Sequence, residues 1–531
     1  MCDENKIDSN VVGLSYAEEL ATCLKILPDA SGSPAGTQDG GIWWPLEPND
    51  YKDFGGDIKT IARQPITQSR QNKKGIVVNL DASGGFNTDL TQNSLQRLMQ
   101  GFMFADARER ASSAPISDSV VNTVAVTGYT ATTNVITVAA GKGLKYSVGM
   151  ILKSSGMINA ANNFNNAVIT AIATDVLTVN KTLVTEAFPA SGANLEIVGY
   201  QFADGEGQIA YNSGTGVLTL NKKTGTLPTA LDMKIGEWIF IGGDSANSKF
   251  ANNAPGYARV EAVSTTSITL REATFTPVTE AGVSPKTIQV WFGKFLKNEA
   301  TTELIKRRSY QLERTLGKDT VGVQSEYLVG AIANEFKMDF KAADKIMCDL
   351  DFIAMTNELR NGTTGVKAGT RKTLLVEEAY NTSSDIYQLR LFLTSSTVQT
   401  PVSLFAYVTE GSLTIKNNAK PNKAVGVLGS FNISVGNFEV MGSVEAYFAT
   451  VAAVAAVKAN AECGFNMIGA QYNAGFVFDI PLLTLGGGRV KVQKDEPIML
   501  PLDNLACENV NNYTLGLTFF SYLPNIAMAT Q

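Results

Sequence analysis

Two pairs of carboxylates have spacing that could serve acid–base chemistry. Asp349 and Asp351 lie two apart, and Glu439 and Glu445 six apart, in segments that alternate polar and apolar residues. At strand spacing each pair faces one side of a sheet, which suits general acid–base work or a bound cation. No further ligand cluster accompanies them along the chain. The plainer reading is a solvated or lumen-facing sheet. Gly205-Glu206-Gly207-Gln208-Ile209-Ala210 has the GxGxxA shape of a dinucleotide loop, which needs a strand before it and a helix after it. Here Tyr211-Asn212-Ser213-Gly214 and a strand-like segment follow instead. Gly317-Lys318-Asp319-Thr320 lacks phosphate-loop spacing, and Gly486-Gly487-Gly488 reads as a bulge or turn between strands. Trp43-Trp44-Pro45 could stack on a sugar, but such a pair more often anchors a core or interface.

The chain has no histidine. That removes Ser-His-Asp and Cys-His catalysis, His-ligated zinc and the commonest neutral-pH base. The five cysteines, Cys2, Cys23, Cys348, Cys463 and Cys507, form no CxxC pair and read as buried, reduced thiols. No catalytic residue, cofactor or metal is expected, and the chain reads as a non-enzyme.

The 531 residues exceed what one core normally supports. They are 44% hydrophobic and 18% charged, against about 25% charged in ordinary soluble domains. Low charge suits β-structure with large covered surfaces, as in an assembly. The net charge of −6 argues against gripping nucleic acid, which needs clustered cations. The acidic start Met1-Cys2-Asp3-Glu4-Asn5 has no secretory signature. The most apolar helical stretch, Ala449 to Ala459, is far short of the ~20 residues of a membrane span.

Residues 1–40 read as an arm with little core. Strands are expected at Ile58–Ile66 and Ile76–Leu90, separated by a polar, basic stretch, 63–75. A helix follows, capped by Asp89 or Thr91, with Leu95, Leu98, Met99, Phe102 and Met103 on one face. Beyond residue 294 come strands at Lys306–Arg314, Phe336–Phe340, Asp349–Phe352, Tyr387–Leu393, Leu404–Ile415 and Phe438–Phe448. A short helix capped by Thr450 spans Val451–Ala459, and strands at Phe476–Ile480, Arg489–Val492 and Leu515–Tyr522 close the chain.

Between these flanks the texture repeats. Val135-Ile136-Thr137-Val138 answers to Val217-Leu218-Thr219-Leu220, and Ser147–Leu152 to Lys234–Ile239. Asn162-Asn163 answers to Asn252-Asn253, Ile169–Ile172 to Val260–Val263, and Leu177-Thr178-Val179 to Ile268-Thr269-Leu270. This predicts two small β-barrel or Ig-like modules, 115–200 and 201–294. They interrupt a domain built from 41–114 and 295–531, since a surface loop tolerates a long insertion.

The flanks resemble the tail tube proteins of siphophages, the long-tailed bacteriophages, over roughly 300 residues. The resemblance is carried by Leu14-Ser15-Tyr16-Ala17-Glu18-Glu19, the loop Arg63–Lys74, the strand Ile76–Asn87 and the helix Thr91–Met103. Later come Arg308-Ser309-Tyr310-Gln311-Leu312-Glu313-Arg314, the strand Phe438–Phe448 and Phe476-Val477-Phe478-Asp479-Ile480-Pro481. It implies a mainly β fold, a tail-tube-type sandwich or barrel with one or two short helices. Copies would close into rings, usually of six, that stack around a tape measure protein and later pass genomic DNA. Further partners would be the tail-tip and tail-terminator proteins. The loop residues Arg63, Arg70, Lys73 and Lys74 would contact the neighbouring ring. The virion tail is the implied location, after assembly in the host cytoplasm. The inserted repeat departs from the family pattern and reads as outward decoration. Two alternatives stay open. One keeps the fold in a tail-tip or hub ring or in the tube of a contractile injection system. The other is a glycan-binding or carbohydrate-active β protein acting through Trp238 or Trp291.

Overall fold

The computed structural model describes residues 12–23, 27, 41–66, 71, 73–108, 110, 126–131, 133–189, 193–318, 322–394, 401, 403–405, 407–448 and 451–528. The strands gather into sheets of 17 and 13 strands and a two-stranded ribbon, Lys420–Asn422 with Asn432–Ser434. The larger sheet draws on residues before 90 and after 293. The smaller takes every strand from Val126 to Phe292. The apolar cores divide in the same way. One is built from residues 14–105 and 296–519, the other wholly from 126–292.

The 19-residue strand Val323–Lys341 is the axis of the larger sheet. Its first half pairs with Tyr310–Lys318 and Thr356–Arg360, its second with Met347–Ala354 and Val408–Lys416. On one side the ladder runs on through Lys73–Asp89 to Pro48–Arg63. On the other it runs through Glu439–Tyr447 and Met499–Ala506 to Ala474–Gly487. Period-2 alternation sends Phe336, Met338 and Phe340 inwards and leaves Lys337 and Asp339 outside.

The inner face is covered by helix α1, Gln96–Met103. The predicted apolar face is buried throughout, with Phe102 5.8 Å from Phe336 and 5.5 Å from Phe352. Each such burial contributes about 1.5–3 kcal/mol. Neither expected cap is used, and the helix begins late. Residues 92–94 form a turn instead, where Gln92 donates to the Phe520 carbonyl. Gly101 sits inside the helix because a Cβ there would strike the Tyr310 ring.

The N-terminal segment is more than an arm. Gly13–Glu18 is a core strand between Tyr310–Lys318 and Ile42–Leu46, burying Leu14, Tyr16 and Ala17. Its acids are satisfied from far along the chain. Arg308 pairs with Glu18 at 3.0 Å, and Ser309, Gln311 and the Gly330 amide donate to Glu19. Near the other end, α2 (Ala452–Lys458) buries Ala453 and Ala456, while Thr450 lies outside the described residues. Arg489–Val492 makes one bridge, Lys491 with Met499, instead of a strand. Among the described residues no helix is long and apolar enough to cross a membrane.

Within 126–292 the strands fall at the repeat positions, and each half has the same neighbour order. Val126–Thr130, Val135–Val138, Val176–Val179, Phe164–Ala173, Met150–Ser155 and Asn194–Gln201 are matched by Gly207–Asn212, Val217–Lys222, Ser267–Arg271, Gly256–Val263, Trp238–Ile241 and Gln289–Phe292. The halves join where Asn194–Gln201 pairs with Gln289–Phe292. A polar clamp recurs too. Asn162 donates to the Val184 carbonyl and accepts from its amide, and Asn253 does the same with Val278. Each also donates to a carboxylate two residues further on, Glu186 or Glu280.

This unit is seated on the body through a third apolar cluster. Trp238, Tyr257 and Trp291 pack against Ile468, Val477, Phe520, Tyr522 and Leu523. Arg259 runs through the seam, 2.6 Å from Glu272 of its own unit and 3.2 Å from buried Asp479 of the body. Arg390 donates to the Glu272 carbonyl from the body side.

Candidate assembly surface

Pro48–Arg63 and Lys73–Asp89 form one long hairpin in a register from Pro48↔Thr88 to Arg63↔Lys73. Its base is held by Met347–Ala354, whose pairing with Lys73–Asp89 stops at Ala354↔Ala82. Beyond that point, among the described residues, no third strand pairs with the two. These are the expected strands Ile58–Ile66 and Ile76–Leu90, but longer, and Ile66 lies in the connecting loop.

The projecting part keeps the pattern of a core. Ala82 and Leu80 are buried, and Val78 and Ile76 continue the same face by period-2 alternation. Ile58 lies opposite Leu80 and Ile61 opposite Ile76. Yet Ile58, Ile61 and Ile76 are 56%, 60% and 57% exposed. A two-stranded ribbon with a bare apolar face and open edges is marginal alone and invites a partner.

The tip is cationic. Arg63 and Lys73 sit directly opposite one another with Lys74 beside them, an arrangement that repels. Among the described residues none of the three has an ion-pair partner; Arg70 lies outside those residues. Where the arm leaves the body, Asp81 is clamped by Lys59 at 2.9 Å and by Lys423. Those lysine hydrogen bonds hold its carboxyl down at about 2. Lys423 begins a loop whose Val425, Leu428 and Phe431 are also exposed.

The carboxylate pairs singled out at the start share one surface, the outer face of the larger sheet. Asp349 and Asp351 border Lys337 and Glu335, and Glu439 and Glu445 lie across from Lys416 and Glu410. Acids face lysines at Asp349–Lys337 and Glu439–Lys416 and face acids at Asp351–Glu335 and Glu445–Glu410, with Lys416 reaching Glu335 at 3.2 Å. Burial raises Asp351, offset by Lys52 3.8 Å away. These carboxylates are strung along a ladder, and among the described residues no group of three or more Cys, Asp or Glu could hold a metal.

The remaining candidates are structural. Gly205, at φ 69°, makes a turn against Val283 and Ser284, and Gly207 opens a strand with no helix after it. Trp43 is buried against Tyr327 and donates to the Ala368 carbonyl, and the Arg97 guanidinium stands 3.8 Å from the Trp44 ring. Trp238 and Trp291 are each 1% exposed, so neither offers a sugar platform. Cys348 and Cys463 are buried and Cys23 and Cys507 half-buried, while Cys2 lies outside the described residues.

A family model for the phage tail tube protein matches residues 9–506, nearly the whole chain. This chain belongs to the phage tail tube protein family. No curated protein matches it. It is a structural component of the virion tail and not an enzyme, and membership implies self-assembly. For a tail tube protein, a bare apolar arm and an unbroken polar sheet face are more telling than any pocket. Sequence reasoning located the basic tip but missed the apolar face, because Ile76-Val77-Val78 looks like any buried strand.

Proposed function

We propose that this chain builds the tube of a siphophage-type tail by closing into rings, six copies each by the family's habit, that stack along an axis. The observation carrying this reading is the arm, whose apolar face is exposed and whose cations Arg63, Lys73 and Lys74 have no ion-pair partner among the described residues. Arg70 extends the same contact loop in sequence. A head-to-tail repeat covers such surfaces on every copy except the last.

In this reading the outer face of the larger sheet lines the channel. Its alternating Lys337, Asp339, Glu410, Ser412, Ser443 and Asp503 present little net attraction to phosphates, so DNA slides and a tape measure protein can be released. The residues 115–200 and 201–294 act as two inserted modules on the outside. The test is electron microscopy of the purified protein across a concentration series. Rings or tubes of uniform width are expected. A chain that stays monomeric at high concentration and is absent from tails would overturn the reading.

A further inference from the structure

A cleft of about 760 Å³ opens between the body and the 126–292 unit. Its walls are polar and mixed in charge: Gln92, Asn93, Asn165, Asn194 and Gln471 stand with Arg97, Lys153 and the Lys294–Glu196 pair, and Lys153 is near enough to feel Glu377. One rim is the segment 373–378, which runs outside any strand or helix. It is tethered at its ends, by the Lys372 amide on the Trp43 carbonyl and the Tyr380 amide on the Leu90 carbonyl. Among the described residues, 373–379 make no backbone–backbone hydrogen bond. Leu375 is 61% and Val376 98% exposed. Glu377 accepts from the Asn93 amide, and the Tyr472 hydroxyl donates to Glu378. With Glu47 on the same rim, three carboxylates stand without a lysine or arginine at ion-pair distance among the described residues.

This is the inverse of the arm tip. The tip carries exposed isoleucines and three cations with no ion-pair partner among the described residues; the rim carries exposed Leu375 and Val376 and three carboxylates, and of its backbone the Glu378 carbonyl accepts from the Gln471 side chain. The reach also fits. The arm starts at Pro48, next to Glu47 of the cleft, and its 16 residues extend roughly 50 Å at ~3.3 Å per residue. Its tip therefore lies far from its own cleft, and one arm-length of head-to-tail stacking brings it to the cleft of another copy.

We infer that the rim and cleft of one copy are the socket for the arm tip of a second copy. The socket rests on the reading of the arm as an assembly element. Leu374–Val376 covers arm isoleucines, Glu377 and Glu378 pair with Lys73 and Lys74, and the backbone of 373–377 adds to the arm's edge.

Full-length protein carrying Lys73→Glu with Lys74→Glu, and separately Glu377→Lys with Glu378→Lys, should remain folded by circular dichroism. Each should lose tube formation in sedimentation and micrographs. All four changes in one chain should restore it. If the arm variant blocks assembly and the rim variant does not, the socket is wrong and the arm reading stands. If neither blocks assembly, both fall. Because Glu377 also holds Asn93, a second measurement avoids it. Chains with Val376→Cys mixed with chains with Lys73→Cys should give an intermolecular disulfide, identified by peptide mass, on mild oxidation of tubes. Tubes without that cross-link would overturn the socket.

Discussion

The arm and the seam under the 126–292 unit are both extensions of one sheet, and they end in opposite ways. At the seam every large apolar group meets another: Tyr257 lies 4.9 Å from Tyr387 and Trp291 5.2 Å from Tyr522. Its charges are closed among themselves, through Arg259, Glu272, Asp479 and Arg390. On the arm, residues of the same chemical kind stand uncovered and cations face each other. A chain can bury an apolar face against itself or leave it for a copy of itself. Here it does each once. On the proposed reading of the arm, the contrast separates contacts that hold the subunit together from contacts that hold subunits to one another.

The sharpest break comes at the arm. Ile61→Asp with Ile76→Asp places two acids on its exposed face without touching the core. Tubes should be lost while the melting temperature stays within a few degrees of wild type. A collapse of the fold would mean that the arm is part of the subunit's own core. At the seam the sign reverses. Asp479→Ala leaves Arg259 buried with one partner fewer and should cost about 3–5 kcal/mol in denaturant unfolding. A cost below 1 kcal/mol would show that the seam is held by its apolar contacts alone.

A smaller effect tests the two halves of the repeat. Asn162→Ala and Asn253→Ala each strip a part-buried amide and a carboxylate of their partner, at about 1–3 kcal/mol. Hydrogen exchange should quicken at the Val184 amide in the first variant and at Val278 in the second. Exchange that spreads equally through both halves would show that they open as one. The mildest test is pH. Burial raises Glu272 from an ordinary 4.5 to about 7, with Arg259, Arg271, Arg390, Asp479 and Tyr513 around it. A carboxyl raised on folding favours the fold most below 4.5, and that contribution is lost as the pH rises through 7. The melting temperature should therefore be higher at pH 5 than at pH 8, and Glu272→Gln should flatten the difference. Parallel wild-type and variant curves would assign the dependence elsewhere.

Local pattern carried much of this fold. The face Leu95–Met103 shows in its 3.6 period, and the repeat shows because Ile169–Ile172 and Leu177–Val179 keep their spacing in Val260–Val263 and Ile268–Leu270. What stayed hidden depends on distant partners. Gly13–Glu18 looked like a free arm because Glu18 and Glu19 are satisfied by Arg308, Ser309 and Gly330. The exposure of Ile58 and Ile76 is decided by where Met347–Ala354 stops pairing, some 270 residues later. Residues 373–379 carry no periodicity, so their place on a cleft could not be read.

The long separation between the halves of the larger sheet also orders events in time. During synthesis the 126–292 unit has all its strands and its own core well before Met347–Ala354 emerges. The hairpin that becomes the arm has no rigid base until that strand arrives, and a two-stranded ribbon alone is marginal. If the arm is the assembly element proposed above, neighbouring chains on one messenger meet while that edge is still unformed, and the ability to polymerise comes late, once the subunit is nearly complete.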